Sequence, residues 1–406
     1  MTQIPCFIAH LRLVPSPNLK LHGRCLVKHE ILLQALTHVP KVGHASTALD
    51  AESVIATGGF SSDGVSYYNN TIELRKKDGC LNLKEKLLIP RSGHSQHMLS
   101  KDELLLIGGH SDTLEILNLK TMKSSILPQK LLMIRSQHTS TQLSDGRIVI
   151  VGGYTQKIDF SMRSNQISNS VEIFNPTSKT LTYFGSLNLP RAEHSATLLA
   201  DNKILILGGY SSEKMINLAE VIDINSGKIT TVDEPMGLGR AGHTATLLNN
   251  GKVFISGGFT WTLKTSETGQ VLTDDTGNPY KELNPTANLE LFDPETESFH
   301  NLSDKLSEAR GNHSALKMYD GRILLIGGET KGLLISNIDD NFKTASNTID
   351  IFDPGTNSLY KVATLNSSRY RFTANLLTPK TVLVSGGLGN GSAPFSNEII
   401  FYKFSK

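Results

Sequence analysis

The sequence predicts an all-β fold: a seven-bladed β-propeller of four-stranded antiparallel blades, closed by an N-terminal outer strand in the last blade. Three observations lead there. Gly-Gly pairs begin at Gly58, Gly108, Gly152, Gly208, Gly257, Gly327 and Gly386, each closing an apolar run such as Ile204-Leu205-Ile206-Leu207. Fourteen residues before each pair stands His44, His94, His138, His194, His243, His313 or Phe372, with no slippage in any copy. Three residues earlier again comes a base (Lys41, Arg91, Arg135, Arg191, Arg240, Arg310, Arg369), and after each pair an acid (Glu73, Glu115, Glu172, Glu220, Glu290, Asp350, Glu398). Residue classes held in one phase over seven copies mark a repeat array.

Within one unit the elements follow in order. His194 to Leu199 reads as an inner strand and Asp201-Asn202-Lys203 as a tight turn. Ile204 to Gly209 is a second strand, whose unbroken apolar run implies burial on both faces. Sister turns at Asp145-Gly146, Asn250-Gly251 and Asp320-Gly321 carry residues that tolerate the positive φ of hairpins. A third strand covers Ala219 to Ile224, and a fourth, after Asn175-Pro176 in the third copy, covers about Thr180 to Phe184. Such meanders cannot bury both faces alone, so radial stacking into a closed ring is the economical solution. The last unit stops after a third strand near Asn397 to Phe404, while His29 to Thr37 precedes Lys41 as Lys179 to Leu187 precedes Arg191. Residues 29–37 are therefore expected to supply the missing outer strand. This makes 24–406 a single propeller and 1–23 a leader packed on its edge.

Composition narrows the function classes. The 406 residues exceed one ordinary compact core, which suits a chain of many similar units. With a net charge of +2 and 19% charged residues, no field is strong enough to hold nucleic acid or an anionic membrane surface. Cys6, Cys25 and Cys80 form no CxxC pair, so neither a disulfide framework nor a cysteine zinc site fits. The apolar stretch Phe7 to Val14 is interrupted by His10 and Arg12 and makes a poor signal peptide or membrane span. A cytoplasmic, monomeric protein is the expectation.

The double glycine, the Arg-x-x-His ahead of it, the aromatic after it (Phe60, Tyr154, Tyr210, Phe259) and the Asp-Pro-x-Thr turn resemble the kelch-repeat family of β-propellers. Units such as His-Ser-Ala-Thr-Leu-Leu with Ile-Leu-Ile-Leu-Gly-Gly resemble bacterial-style kelch repeats over about residues 24–406. One departure is the outer-strand Trp of such repeats, replaced here by residues such as Leu181, Ile229, Phe299 and Leu359. The base and acid rows suggest that each Arg pairs with a carboxylate of its own or an adjacent blade and stitches the ring.

Candidate chemistry is sparse. Six phased histidines on a circle cannot converge on one Zn²⁺, which needs three or four ligands within about 2 Å, so they read as packed, hydrogen-bonded groups. His94 and His97, three apart on a strand, should face opposite sides. Gly237 to Gly242 matches GxGxxG, but a strand rather than a helix follows, so it holds no dinucleotide. No cofactor or metal is expected. The resemblance includes copper radical oxidases and sialic acid epimerases; the oxidase ligand set is not matched, whereas an epimerase needs only an acid or base in the channel mouth.

Positions that differ between repeats point to recognition. The residue before the phased His varies most: Gly43, Gly93, Gln137, Glu193, Gly242, Asn312, Arg371. Strand alternation should turn it opposite to the His, and the resemblance places it near the pocket-bearing rim. The post-glycine residues include His110, Tyr154, Tyr210 and Glu329, also near that rim by resemblance. Between second glycine and acid lie 13, 5, 18, 10, 31, 21 and 10 residues, so loop growth concentrates in units five and six. The longest loop, Phe259 to Leu289, carries the sole tryptophan, Trp261. The expected function is a non-catalytic interaction scaffold that grips a protein segment or small polar ligand through Gln137, Glu193, Asn312, Arg371, His110, Tyr154, Tyr210, Trp261 and Glu329. The alternative is a sugar epimerase or mutarotase of the sialic-acid-like kind.

Overall fold

The computed structural model describes residues 30–36, 41–61, 69–76, 79–155, 166–211, 214–266, 268–273, 277, 281–331, 345–389 and 397–403. The leader 1–23 lies outside them. The described residues are almost wholly strands and turns, arranged as seven four-stranded antiparallel sheets and two short two-stranded ones. Blades are numbered here in chain order. The third holds, from inside out, Thr139–Gln142, Ile148–Val151, Ser170–Asn175 and Thr180–Ser186; the fourth holds Ser195–Leu198, Lys203–Leu207, Ala219–Asp223 and Lys228–Thr231. The turn between the first two strands of blade four places Asp201 and Asn202 at φ 56° and 55°, the left-handed pair that a two-residue hairpin requires.

Closure occurs in the last blade. Glu30–Leu36 pairs antiparallel with Asn397–Lys403, from Glu30 opposite Lys403 to Leu36 opposite Asn397, and completes the sheet with Thr381–Ser385 and Thr373–Thr378. The innermost strands touch one another in succession, and Ala45–Ala48 of blade one meets Thr373–Thr378 of blade seven. Asn375 Nδ2 donates to Ser46 Oγ at 2.6 Å and His44 Nε2 lies 2.9 Å from Thr373 Oγ1, across 329 residues of sequence. Pairing the first described strand with the last covers the edge that Asn397–Lys403 would otherwise leave bare.

The core is divided among the blade interfaces. Between blades three and four, Val149, Val151, Val171 and Ile173 meet Ile204, Ile206 and Ile222. Second strands such as Ile148–Val151 and Ile323–Ile326 are buried throughout, as their apolar runs require. The long loop of blade five contains a projecting hairpin, Phe259–Leu263 against Lys281–Pro285, that its turn-rich sequence did not suggest.

Polar rows lock neighbouring blades together. Arg191 is fully buried; its Nη2 reaches Glu220 at 2.5 Å and its Nη1 donates to the Gly208 carbonyl at 2.9 Å. Its own carbonyl accepts from the Gly153 amide at 2.9 Å, so one residue clamps blades three and four. Arg91–Glu115 (3.1 Å), Arg310–Asp350 (2.7 Å), Arg135–Glu172 and Arg240–Glu290 repeat the arrangement. Burial pulls each guanidinium below its ordinary value and the facing carboxylate pushes back. In blade one Arg75 does this work, reaching Glu73 at 2.7 Å and His44 Nε2 at 3.1 Å. The glycine pairs permit the close approach: a Cβ on Gly152, at φ 62°, would lie 2.4 Å from the Arg191 carbonyl oxygen.

Candidate functional site

The phased histidines form a structural ring. His138 bonds Ser95, His194 bonds Thr139, His243 bonds Ser195 and His313 bonds Ser256, each Nε2 sitting 2.8–2.9 Å from a hydroxyl of the preceding blade. His94 likewise bonds Thr57 of blade one at 2.9 Å, whereas His97 reaches forward to Ser140 of blade three at 2.6 Å, so the two face opposite sides. Burial holds these imidazoles neutral, lowering His94 and His243 to about 3 and His97 to about 4. Among the described residues no group of three or more His, Cys, Asp or Glu is placed to hold a metal ion.

The residue before each of these positions is not in a strand. Gly43, Gly93, Gln137, Glu193, Gly242, Asn312 and Arg371 all have φ between 49° and 64°. The strand alternation expected here therefore does not apply, and this position lines the same axial cavity as the His instead of turning away from it. Six of the seven are joined by a chain of amides around the axis: Gly93 N–H donates to Gly43, Gln137 to Gly93, Glu193 to Gln137, Gly242 to Glu193 and Asn312 to Gly242, at 2.8–3.3 Å. Three glycines adopt this backbone freely, and one makes room for a neighbour: a Cβ on Gly242 would lie 2.8 Å from Asn312 Oδ1. Four non-glycine residues hold it against a cost of about 1–2 kcal/mol each, and strain of this kind concentrates where side chains are aimed at a ligand.

Gln137, Glu193, Asn312 and Arg371 thus converge on a cavity of about 320 Å³. Tyr154 and Glu329 stand behind them. Tyr154 Oη donates to Glu193 Oε1 at 3.4 Å, and Asn312 Nδ2 donates to Glu329 Oε2 at 3.1 Å. Glu329 is 3% exposed. Its amide and carbonyl bond Gly311 at 2.7 and 2.9 Å, as Tyr210 bonds Ala192, which ties each post-glycine residue to the linker before the ring. Tyr210 carries Trp261 edge-on, with centroids 5.2 Å apart, and Trp261 is half-buried on the projecting hairpin. His110 does not join this wall; it is buried in blade two, its amide donating to the Arg135 carbonyl at 3.2 Å.

The electrostatics centre on Arg371. Burial lowers its guanidinium, but the carboxylates of Glu193 and Glu329, with Tyr370 and Tyr154, outweigh this and raise it above the ordinary value. Among the described residues the guanidinium makes neither an ion pair nor a hydrogen bond, so its donors are left to the cavity. Burial raises Glu329 despite Arg371 and Asn312, and raises Tyr154 together with Glu193. Tyr370, buried beside Glu329, was missed from sequence. Its signal was size: the matching residues Ser92, Ser136, Ala192, Ala241 and Gly311 are all small.

Comparison with known proteins agrees with this architecture. The structure described as "Structure of YjhT" superposes with a TM-score of 0.56 at 17% identity, covering 80% of this chain and 98% of that one. A fungal alcohol oxidase of the AA5 family, in complex with copper, superposes with a TM-score of 0.64 at 16% identity, covering 92% and 75%. At such identities the likeness is one of fold. No curated protein matches in sequence. The KLHDC2/KLHL20/DRC7 Kelch-repeats domain matches residues 43–258, more than half of the chain. Glycine pairs, buried arginine clamps and four-stranded blades have the same explanation: the chain belongs to the kelch-repeat family of β-propellers.

Proposed function

We propose that this propeller is a non-catalytic interaction scaffold that grips a protein segment or small polar ligand on its loop-bearing rim, with Arg371 anchoring an acidic group of the occupant. Kelch-repeat domains serve as scaffolds for protein interaction, which sets the class. One observation carries the finer reading: a guanidinium with no hydrogen-bond acceptor among the described residues sits in an axial cavity whose other polar walls, Gln137, Glu193 and Asn312, are held in left-handed backbone. A compact polar cavity with a few convergent groups is where a ligand is gripped. Trp261 on its projecting hairpin and Tyr210 beneath it extend the surface outward. The test is affinity capture from native extract with the wild-type chain, Arg371→Met, and a chain lacking 264–280. A partner retained by all three equally would refute the reading.

A second reading is favoured by the two carboxylates beside Arg371. Ring opening of a sugar hemiacetal needs one group to take a proton and another to give one, and Glu193 and Glu329 are available for that. Anomer interconversion followed by NMR on an acidic sugar, with Glu193→Gln as control, decides it; a rate equal to the buffer's removes this alternative.

A further inference from the structure

The cavity is lined by one cation, Arg371, and one carboxylate, Glu193, with a second carboxylate, Glu329, behind Asn312, and this inference rests on the reading of Arg371 as the anchor for an acidic group. Arg371 comes from the linker into blade seven, Glu193 from the linker into blade four, and Glu329 from behind the glycine pair of blade six. Glu329 is the more enclosed of the two acids. It interacts electrostatically with Arg371, Glu193 and Tyr370 and accepts from the Asn312 amide. With both acids ionised the cluster has a net charge of −1. A ligand carboxylate arriving at Arg371 would bring it to −2 in a partly dehydrated site, where like charges repel strongly.

We propose that the axial cavity binds a carboxylate-bearing ligand together with one proton, Glu329 passing from carboxylate to carboxylic acid as the ligand engages Arg371. The proton comes from solvent and adds to Oε1, because Oε2 already accepts from Asn312. Three consequences favour this over binding the anion alone. The cluster returns to −1, Arg371 is freed from one competing acid, and Glu329 keeps its hydrogen bond from Asn312 once neutral. Glu193 stays an acceptor, bonded by Tyr154, for hydroxyl or amide donors of the ligand. The ligand class is therefore a carboxylate flanked by hydrogen-bond donors, as in a sugar acid or the end of a peptide chain.

Titration calorimetry on the full chain between pH 6.5 and 8.5 tests this, with D-glucuronate and N-acetylglycine as the two probes and two buffers of different ionisation enthalpy. The expected result is uptake of about one proton on binding, with Kd falling about tenfold per pH unit as pH falls. Glu329→Gln, which mimics the protonated acid, should bind with a pH-independent Kd and no proton uptake, and Arg371→Met should not bind. Whichever probe binds identifies the source of the carboxylate. Arg371-dependent binding with a flat Kd and no proton uptake overturns the proton coupling and leaves the anchor standing. Failure of both probes at every pH overturns the anchor and the coupling with it. If Glu329→Gln does not fold, the buffer dependence of the wild-type enthalpy alone decides.

Discussion

Acid should unfold this propeller well before most of its carboxylates protonate, because its blades are joined by neutral imidazoles. His94 and His243 are held at about 3, and His138, His194 and His313 also lie well below the ordinary value of 6.5, all chiefly through burial. In the unfolded chain each accepts a proton near pH 6.5, whereas the folded chain refuses it. The stability from these groups is therefore complete above pH 6.5 and is lost as pH falls, by about 1.4 kcal/mol per unit for each histidine. Five histidines together remove about 7 kcal/mol per unit, against a total stability of about 5–15 kcal/mol. Glu172 and Glu329, raised by burial, act in the opposite direction, but they are two groups against five. Unfolding near pH 5 follows. Phe372, at the seventh ring position, shows that a non-titrating aromatic fits the slot. His243→Phe should cost about 1 kcal/mol at pH 7.5 by leaving Ser195 without its partner at 2.8 Å, yet flatten the acid slope by one proton. Urea unfolding by far-ultraviolet circular dichroism, repeated at half-unit pH steps, measures both. A wild-type chain that keeps its stability down to pH 4, or a variant with an unchanged slope, would refute the reasoning.

Other outcomes follow from the same contacts. Arg191→Gln leaves buried Glu220 without its cation and should cost on the order of 3–5 kcal/mol, whereas reversing exposed Lys228 should cost under about 0.5; equal drops in Tm would contradict the clamp. Removing residues 29–37 strips the outer strand from Asn397–Lys403 and should lower Tm markedly and promote association through the bared edge, measured by differential scanning fluorimetry and light scattering. Glu193→Gly should be more stable than Glu193→Ala by about 1 kcal/mol, since only glycine relieves the left-handed backbone at φ 54°; the reverse order in thermal melts would show that this position is unstrained.

The sequence by itself determined the blade. Each copy must solve the same problem of bringing two sheets together at a glycine pair, with a base and an aromatic ring between them that are Arg and His in five of the seven, so the same residues recur in phase. The closing strand was legible for a related reason: the stretch before Lys41 precedes its base as the outer strand Thr180–Ser186 precedes Arg191, and Glu30–Leu36 supplies the outer strand of the last blade. Arg75, which pairs with the acid of blade one, escaped because it lies in a different strand from the base row, two residues from Glu73 on the same face of one strand. The site was decided by the tertiary structure. Gln137, Glu193, Asn312 and Arg371 were singled out by their variability, but strand alternation would have turned them away from the His. For Gln137, Glu193 and Asn312 the left-handed backbone that makes them line the same cavity goes with amides bonded from one blade to the next. Likewise, nothing local brings Glu193, Glu329 and Arg371 within electrostatic reach of one another. They meet because ring closure carries the linkers of separate blades to a common centre, a long-range geometry that no single repeat contains.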